Sequence, residues 1–197
     1  KTYEVGVVSD LAYGALGYQG YENPSFLSTP GAKDVGIEFY TFSKTFNMAG
    51  WRLAFAAGND QMIEALNLIQ DHLFVGIFPA LQEAGIAALL DPKSEEAVAQ
   101  LNATYDSRRD AFVQAAAKIG WQAFPSRGSF YAWMPVPEGY TSESFADLLL
   151  EKAHVAVAPG KGFGPAGDAY VRIGLLVEPE RLVEAVDRIA NLHLFNN

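Results

Sequence analysis

Apolar and polar positions alternate between two periods along this chain, and the switches mark its elements. Tyr3–Asp10 is a short β-branched run that ends in an acid and reads as a buried strand with Asp10 at its C-terminal end. Glu38–Ser43 and Arg52–Gly58 are two further strand candidates, with Lys44 just past the end of the first. Asn59 is placed to cap a helix to about His72, whose apolar stripe is Met62, Leu66, Ile69 and Leu73. Pro79–Leu90 is a small-residue helix closed by Asp91-Pro92. Ser94 is placed to cap a long helix to about Lys118, with Val98, Leu101, Tyr105, Phe112, Ala116 and Ile119 on one side. Beyond it the texture changes. Short strands are predicted at Trp121–Phe124, Ser129–Met134, Val155–Ala158 and Tyr170–Gly174. Helices are predicted at Ser142–Ala153 and from Pro179 onward, the latter with Leu182, Val186 and Ile189 inward.

This order of elements predicts an α/β protein. A mostly parallel layered sheet with helices occupies residues 1–92, and a smaller α/β domain occupies residues 93–197. The chain is 197 residues long and half apolar, with 19% charged residues, which fits an ordinary globular protein. A formal charge of -9 argues against a nucleic-acid partner, because phosphate backbones bind basic surfaces. No cysteine is present, so a disulfide frame and a thiolate metal site are both excluded. His72, His154 and His193 are scattered without metal-ligand spacing, and no metal is expected. No apolar run approaches the ~20 residues of a membrane span, and no signal peptide is visible, so the expected location is the cytoplasm. The first residue is not methionine and sits inside a strand pattern.

The chemistry concentrates in Thr41-Phe42-Ser43-Lys44-Thr45-Phe46-Asn47-Met48-Ala49-Gly50-Trp51-Arg52 and in Asp10-Leu11-Ala12-Tyr13. Ligands of open α/β sheets bind beyond the carboxyl ends of strands, and Asp10 and Lys44 both fall there. Lys44 lies between a strand and the apolar Phe46 and Met48. A desolvated lysine near another cation such as Arg52 becomes a usable amine nucleophile; the alternative is a surface lysine. Asp10 suits a carboxylate facing a protonated pyridine nitrogen, or a turn cap. Tyr13 suits a hydrogen bond to a ring oxygen, or packing. Arg52 has the planar fork that phosphate oxygens take, with Thr41 and Ser43 adding hydroxyls; its alternative is a surface ion pair. Arg172, inside the apolar strand Tyr170–Gly174, calls for an anion, either a substrate carboxylate or an internal partner. Together these groups form the layout that a pyridoxal phosphate enzyme needs. Pro159–Pro165 lacks the Walker spacing and reads as a turn-rich connection.

In sequence order, Asp10-x-Ala12-Tyr13, the run Ser43–Arg52 and Tyr170-x-Arg172 closely resemble the class I/II aminotransferases, pyridoxal phosphate enzymes of fold type I. The resemblance covers essentially the whole chain. It implies that Lys44 is the amine that condenses with pyridoxal 5'-phosphate and later shuttles the α-carbon proton. It implies that Asp10 binds the pyridine nitrogen, Tyr13 the 3-oxygen, Thr41, Ser43 and Arg52 the phosphate, and Arg172 the substrate α-carboxylate. The substrates would be an amino acid and a 2-oxo acid, in a homodimer whose interface could include Leu73–Phe78. Family members run to roughly twice this length, a two-domain size. The chain therefore resembles their C-terminal half, expected to be inactive on its own. No arginine lies between Leu53 and Ser107, which favours a neutral, apolar or aromatic amino donor, with Phe74, Phe78 and Tyr131 as pocket walls. The alternatives are a pyridoxal-phosphate-dependent carbon–sulfur lyase and an aminotransferase-like regulatory domain.

Overall fold

The computed structural model describes residues 2–124 and 126–195. Packing divides the chain into two compact units, Lys1–Asn102 and Ala103–Asn197. The division falls within one long helix.

The first unit is built on a three-stranded sheet of β1 (Val7–Asp10), β2 (Gly36–Thr41) and β3 (Ala54–Gly58), in that order. β1 and β2 are parallel, with Asp10 beside Phe39. β2 and β3 are antiparallel, with Thr41 beside Ala54. The sheet is thus mixed: residues 11–35 cross over to a parallel neighbour, and residues 42–53 return the chain antiparallel. Those residues begin with α1 (Phe42–Thr45), one turn of helix capped by Thr41.

The expectation of a buried β1 is corrected. Its residues alternate between half-buried and exposed, and Asp10 is exposed, because among the described residues β1 pairs only with β2. Glu38 gives the opposite surprise. It is only 7% exposed, and its carboxylate accepts from Ser9 Oγ, Ser25 Oγ and the Phe26 N–H at 2.9, 2.6 and 2.7 Å. A buried carboxylate is tolerated when donors saturate it.

Asn59 caps α2 (Asp60–Leu73), its side chain accepting from the Met62 N–H at 3.1 Å. The predicted stripe does not bury throughout. Met62 and Leu66 are half-buried, whereas Ile69 and Leu73 are exposed. α3 (Pro79–Leu90) starts on proline, as predicted. Gly85 lets it approach Leu53 and Phe42, whose atoms lie 2.7 and 3.3 Å from where a Cβ would be. α4 covers Ser94–Lys118. The Ser94 hydroxyl does not cap it but donates to the Ala88 carbonyl at 2.6 Å, because the preceding helix ends within its reach.

The second unit packs the C-terminal part of α4, α5 (Ser142–Leu148) and α6 (Pro179–Ala190) around one face of an antiparallel sheet. Its strands are β4 (Tyr131–Pro135), β5 (Ala158–Pro159) and β6 (Tyr170–Gly174), with β6 central. Alternation decides the faces. Ala132, Met134, Val171 and Ile173 point into a core with Phe112, Trp121, Phe145, Leu149, Leu182, Val186 and Ile189. Each large apolar side chain fully buried there contributes about 1.5–3 kcal/mol. Trp121 satisfies its indole N–H on the Pro135 carbonyl at 2.7 Å.

Two strand expectations fail here. Trp121–Phe124 forms no strand; among the described residues its pairing is reduced to a long Phe124 N–H bond to the Trp133 carbonyl at 3.4 Å. The Val155–Ala158 strand shrinks to β5. A π-helical turn, Leu149–Ala153, continues α5, and the Val155 N–H closes it on the Leu149 carbonyl. Among the described residues no helix is long and apolar enough to cross a membrane.

Candidate active site

In the first unit the expected site residues come from three adjoining pieces of chain. Asp10 ends β1, and the Leu11 N–H continues the ladder onto the Phe39 carbonyl at 2.9 Å. Thr41 ends β2 two residues beyond Phe39, and α1, which carries Ser43 and Lys44, begins there. Parallel pairing therefore puts Asp10 and the Lys44 turn at the same, carboxyl end of neighbouring strands. Neighbouring strands lie ~4.8 Å apart.

The lysine turn is held on both sides. Thr41 Oγ1 accepts from the Ser43 N–H at 3.2 Å and donates to Ser43 Oγ at 2.9 Å. At the other end, the Tyr40 hydroxyl and Thr45 Oγ1 are 2.7 Å apart, with Thr45 buried. The Tyr40 ring stacks on Phe55 of β3 at 5.4 Å, and Phe42 packs against Phe46 and Phe55. Lys44 itself is half-buried.

Arg52 ends a short 3-10 turn, Ala49–Trp51, in a left-handed conformation with φ 53 and ψ 42. Asn47 opens the same loop with φ 54. Such a conformation costs a side-chain-bearing residue about 1–2 kcal/mol, and strain of this kind often accompanies a functional site. Among the described residues the exposed guanidinium donates once, from Nη1 to the Ala49 carbonyl at 3.0 Å. No carboxylate pairs with it among the described residues, so the surface ion pair offered as its alternative is absent there.

Tyr13 is half-buried in the turn that follows β1. That turn is held by a residue the sequence reading missed. Asn23 Nδ2 donates to the carbonyls of Tyr13, Gly14 and Leu16 at 3.0, 3.3 and 3.0 Å. Side-chain clasps onto a distant backbone leave no periodic signal, so nothing in the pattern pointed to Asn23. Glu38 was missed for a related reason: a strand glutamate reads as a solvent-facing position.

Arg172 belongs to the second unit, on the face of the small sheet opposite its core. It pairs across the strands with Trp133. Its guanidinium lies 4.1 Å from the Tyr131 ring centre and 4.3 Å from that of Phe163. The Trp133 ring stacks on Tyr170 and meets Phe163 edge-on. Among the described residues no carboxylate pairs with Arg172, and its guanidinium rests on two aromatic rings instead. Behind Phe163 the loop turns at Gly160 and Gly167, whose backbones touch so closely that a Cβ on either would lie 2.2 or 2.1 Å from the other's oxygen. Asp168 in that loop accepts from the Ser142 hydroxyl at 2.8 Å and from its N–H at 3.2 Å. These bonds hold its carboxyl below the ordinary value. Lys161 is raised by its bond to Glu143.

A family model described as aminotransferase class I and II matches residues 1–189. The L-glutamine--4-(methylsulfanyl)-2-oxobutanoate aminotransferase of Bacillus subtilis is 60% identical over 189 residues, covering 96% of this chain and 47% of that protein. The LL-diaminopimelate aminotransferase of Moorella thermoacetica is 47% identical, over 96% of this chain and 48% of its own. The solved structure of substrate-bound BacF from Bacillus subtilis superposes with a TM-score of 0.92 at 44% identity, covering 98% of this chain and 49% of that one. The chain spans about half the length of the curated relatives it matches.

Proposed function

The chain belongs to the class I and II aminotransferases, a family of pyridoxal phosphate enzymes, and from that premise we propose that the intact protein carrying it moves an amino group between an amino acid and a 2-oxo acid. The observation that carries this reading is the parallel pairing of β1 with β2, which sets Asp10 and the Lys44 turn at one end of the sheet.

The residues present fit the cofactor by the chemistry of their donor set. Asp10 is a carboxylate without a hydrogen-bond or ion-pair partner among the described residues, available to a protonated ring nitrogen. Arg52 is a guanidinium with one backbone bond and spare donors for a phosphate. Thr41 and Ser43 add two hydroxyls, bonded to each other at 2.9 Å, on the turn that carries Lys44. When bound, the cofactor supplies an aldehyde for an amine and a ring that takes up the electron pair released at the substrate α-carbon. Asp10 keeps the ring nitrogen protonated. Tyr13 donates to the ring oxygen. Thr41, Ser43 and Arg52 anchor the phosphate. Lys44 supplies the amine and carries the proton to and from the α-carbon. Arg172, its guanidinium resting against the Tyr131 and Phe163 rings, clamps the α-carboxylate.

The favoured donor is neutral, apolar or aromatic. The Tyr131 and Phe163 rings lie against the Arg172 guanidinium and Trp133 is its cross-strand neighbour, and the 60% identical relative is named for glutamine and a thioether 2-oxo acid. The same reading takes the intact protein as a homodimer. It places the protein in the cytoplasm, a setting in which a chain without cysteine loses nothing.

The experiment is a donor screen on the intact protein with pyridoxal 5'-phosphate, scoring 2-oxo-acid-dependent amino transfer. Methionine, glutamine and phenylalanine should outperform aspartate, and Lys44→Ala should abolish both turnover and borohydride-fixed cofactor. A clear preference for aspartate ends the substrate assignment. Pyruvate and ammonia release without amino transfer ends the reaction assignment.

A further inference from the structure

Two asparagine amides hold the turn that presents Tyr13. Asn23 Nδ2 takes the carbonyls of Tyr13, Gly14 and Leu16. Asn102 Nδ2 takes the one between them, that of Ala15, at 2.8 Å. Four successive carbonyls, 13 through 16, are thus captured by side chains. Leu16 and Tyr18, just beyond, are buried. The chain on the far side of Asn23 is fixed as well, because Glu38 on β2 accepts from Ser25 and Phe26. Asn23 therefore ties the Tyr13 turn to a segment already locked onto the sheet. Gly17 permits the return, since a Cβ there would lie 1.8 Å from the Tyr21 carbonyl.

We propose that Asn23 is a positioning residue for the cofactor: by fixing the backbone of Tyr13 it fixes the hydroxyl that donates to the cofactor's ring oxygen, and so sets the acidity of the bound chromophore. The inference rests on the cofactor site argued above and adds to it a residue outside the strand ends and the lysine turn. A hydrogen bond given to the deprotonated form of a group favours that form and lowers its titration midpoint. Loss of the Tyr13 hydroxyl raises the midpoint, and so does a Tyr13 turn that wanders.

The test is the pH midpoint of the visible absorption of pyridoxal 5'-phosphate bound to the intact protein. Four variants are compared: Tyr13→Phe, Asn23→Ala, the double variant, and Asn59→Ala. The last removes the α2 cap and serves as a destabilised control that leaves the Tyr13 turn alone. Tyr13→Phe and Asn23→Ala should each raise the midpoint by roughly half a unit to one unit, the size of one hydrogen bond made to one protonation state. The double variant should move no further than Tyr13→Phe alone, and Asn59→Ala should not move. A second measurement needs no cofactor. Amide exchange at Gly14 and Leu16, whose N–H groups bond to Leu11 and Tyr13 at 3.2 and 2.9 Å, should accelerate in Asn23→Ala and stay unchanged in Asn59→Ala. An unmoved midpoint in Asn23→Ala beside a shifted Tyr13→Phe overturns the role of Asn23 and leaves the cofactor site standing. An unmoved Tyr13→Phe overturns the assignment of Tyr13, and the role of Asn23 with it.

Discussion

Arg52 is asked to do two incompatible things, and comparing two substitutions separates them. Its backbone is left-handed, φ 53 and ψ 42, which costs a residue with a Cβ about 1–2 kcal/mol. Glycine adopts the conformation freely but loses about 0.5–1 kcal/mol more chain entropy on folding than alanine does. Both Arg52→Ala and Arg52→Gly delete the same exposed bond to the Ala49 carbonyl, so that loss cancels between them. What remains is about 0.5–1 kcal/mol in favour of glycine. In a unit of this size that corresponds to a melting temperature higher by about 2–8 °C. Both variants also remove the phosphate fork. A charge-assisted bond contributes about 1.5–3 kcal/mol, so cofactor affinity should fall roughly ten- to a hundredfold in each. The assays are thermal melts by circular dichroism without cofactor, and cofactor titration of the intact protein. The glycine variant should be the more stable of the two and bind as poorly as the alanine variant. An alanine variant as stable as the glycine one would refute the strain argument, and undiminished affinity in both would remove Arg52 from the phosphate site.

Two further outcomes follow from the second unit. Gly160→Ala forces a Cβ against the Gly167 and Tyr170 carbonyls, 2.2 and 2.5 Å away. It should lower stability by about 1–3 kcal/mol and, by displacing Phe163 from Arg172, raise the KM for the amino donor; a melt within a degree of wild type would refute the close approach. Ser142→Ala tests the acid side. The Asp168 carboxyl is held below its ordinary 3.8 by Ser142, so its contribution is present at neutral pH and is lost as pH falls through its folded titration. The stability gap between wild type and Ser142→Ala should therefore narrow below about pH 4, and a gap of constant width from pH 7 to pH 3 would count against it.

Local chemistry was legible in the sequence wherever it obeys a period or a cap. Asn59 starts α2, Pro79 starts α3, β6 spans Tyr170–Gly174, and α6 buries Leu182, Val186 and Ile189 as its spacing requires. The ordering of Asp10 and Lys44 at strand ends was legible because the strands themselves were. Interactions that join distant residues were not. The amide of Asn23 on a turn, the carboxylate of Glu38 among three donors and the hydroxyl of Ser94 on Ala88 are set by where the backbone happens to pass. Pattern also overstates burial. Asp10, Ile69 and Leu73 carry the signature of covered positions but are exposed, since a period reports which side is apolar and not what rests against it.

The sheet of the first unit has a practical consequence. Among the described residues β1 and β3 are each bonded along one flank only, and the other flank offers a ladder of open amide and carbonyl groups. Such flanks recruit strands from other molecules, and Val8 and Phe55 supply them with apolar side chains in the open. Handled as an isolated polypeptide, these 197 residues are a candidate for β-type self-association, and charged or proline substitutions along β3 are the natural way to keep them in solution.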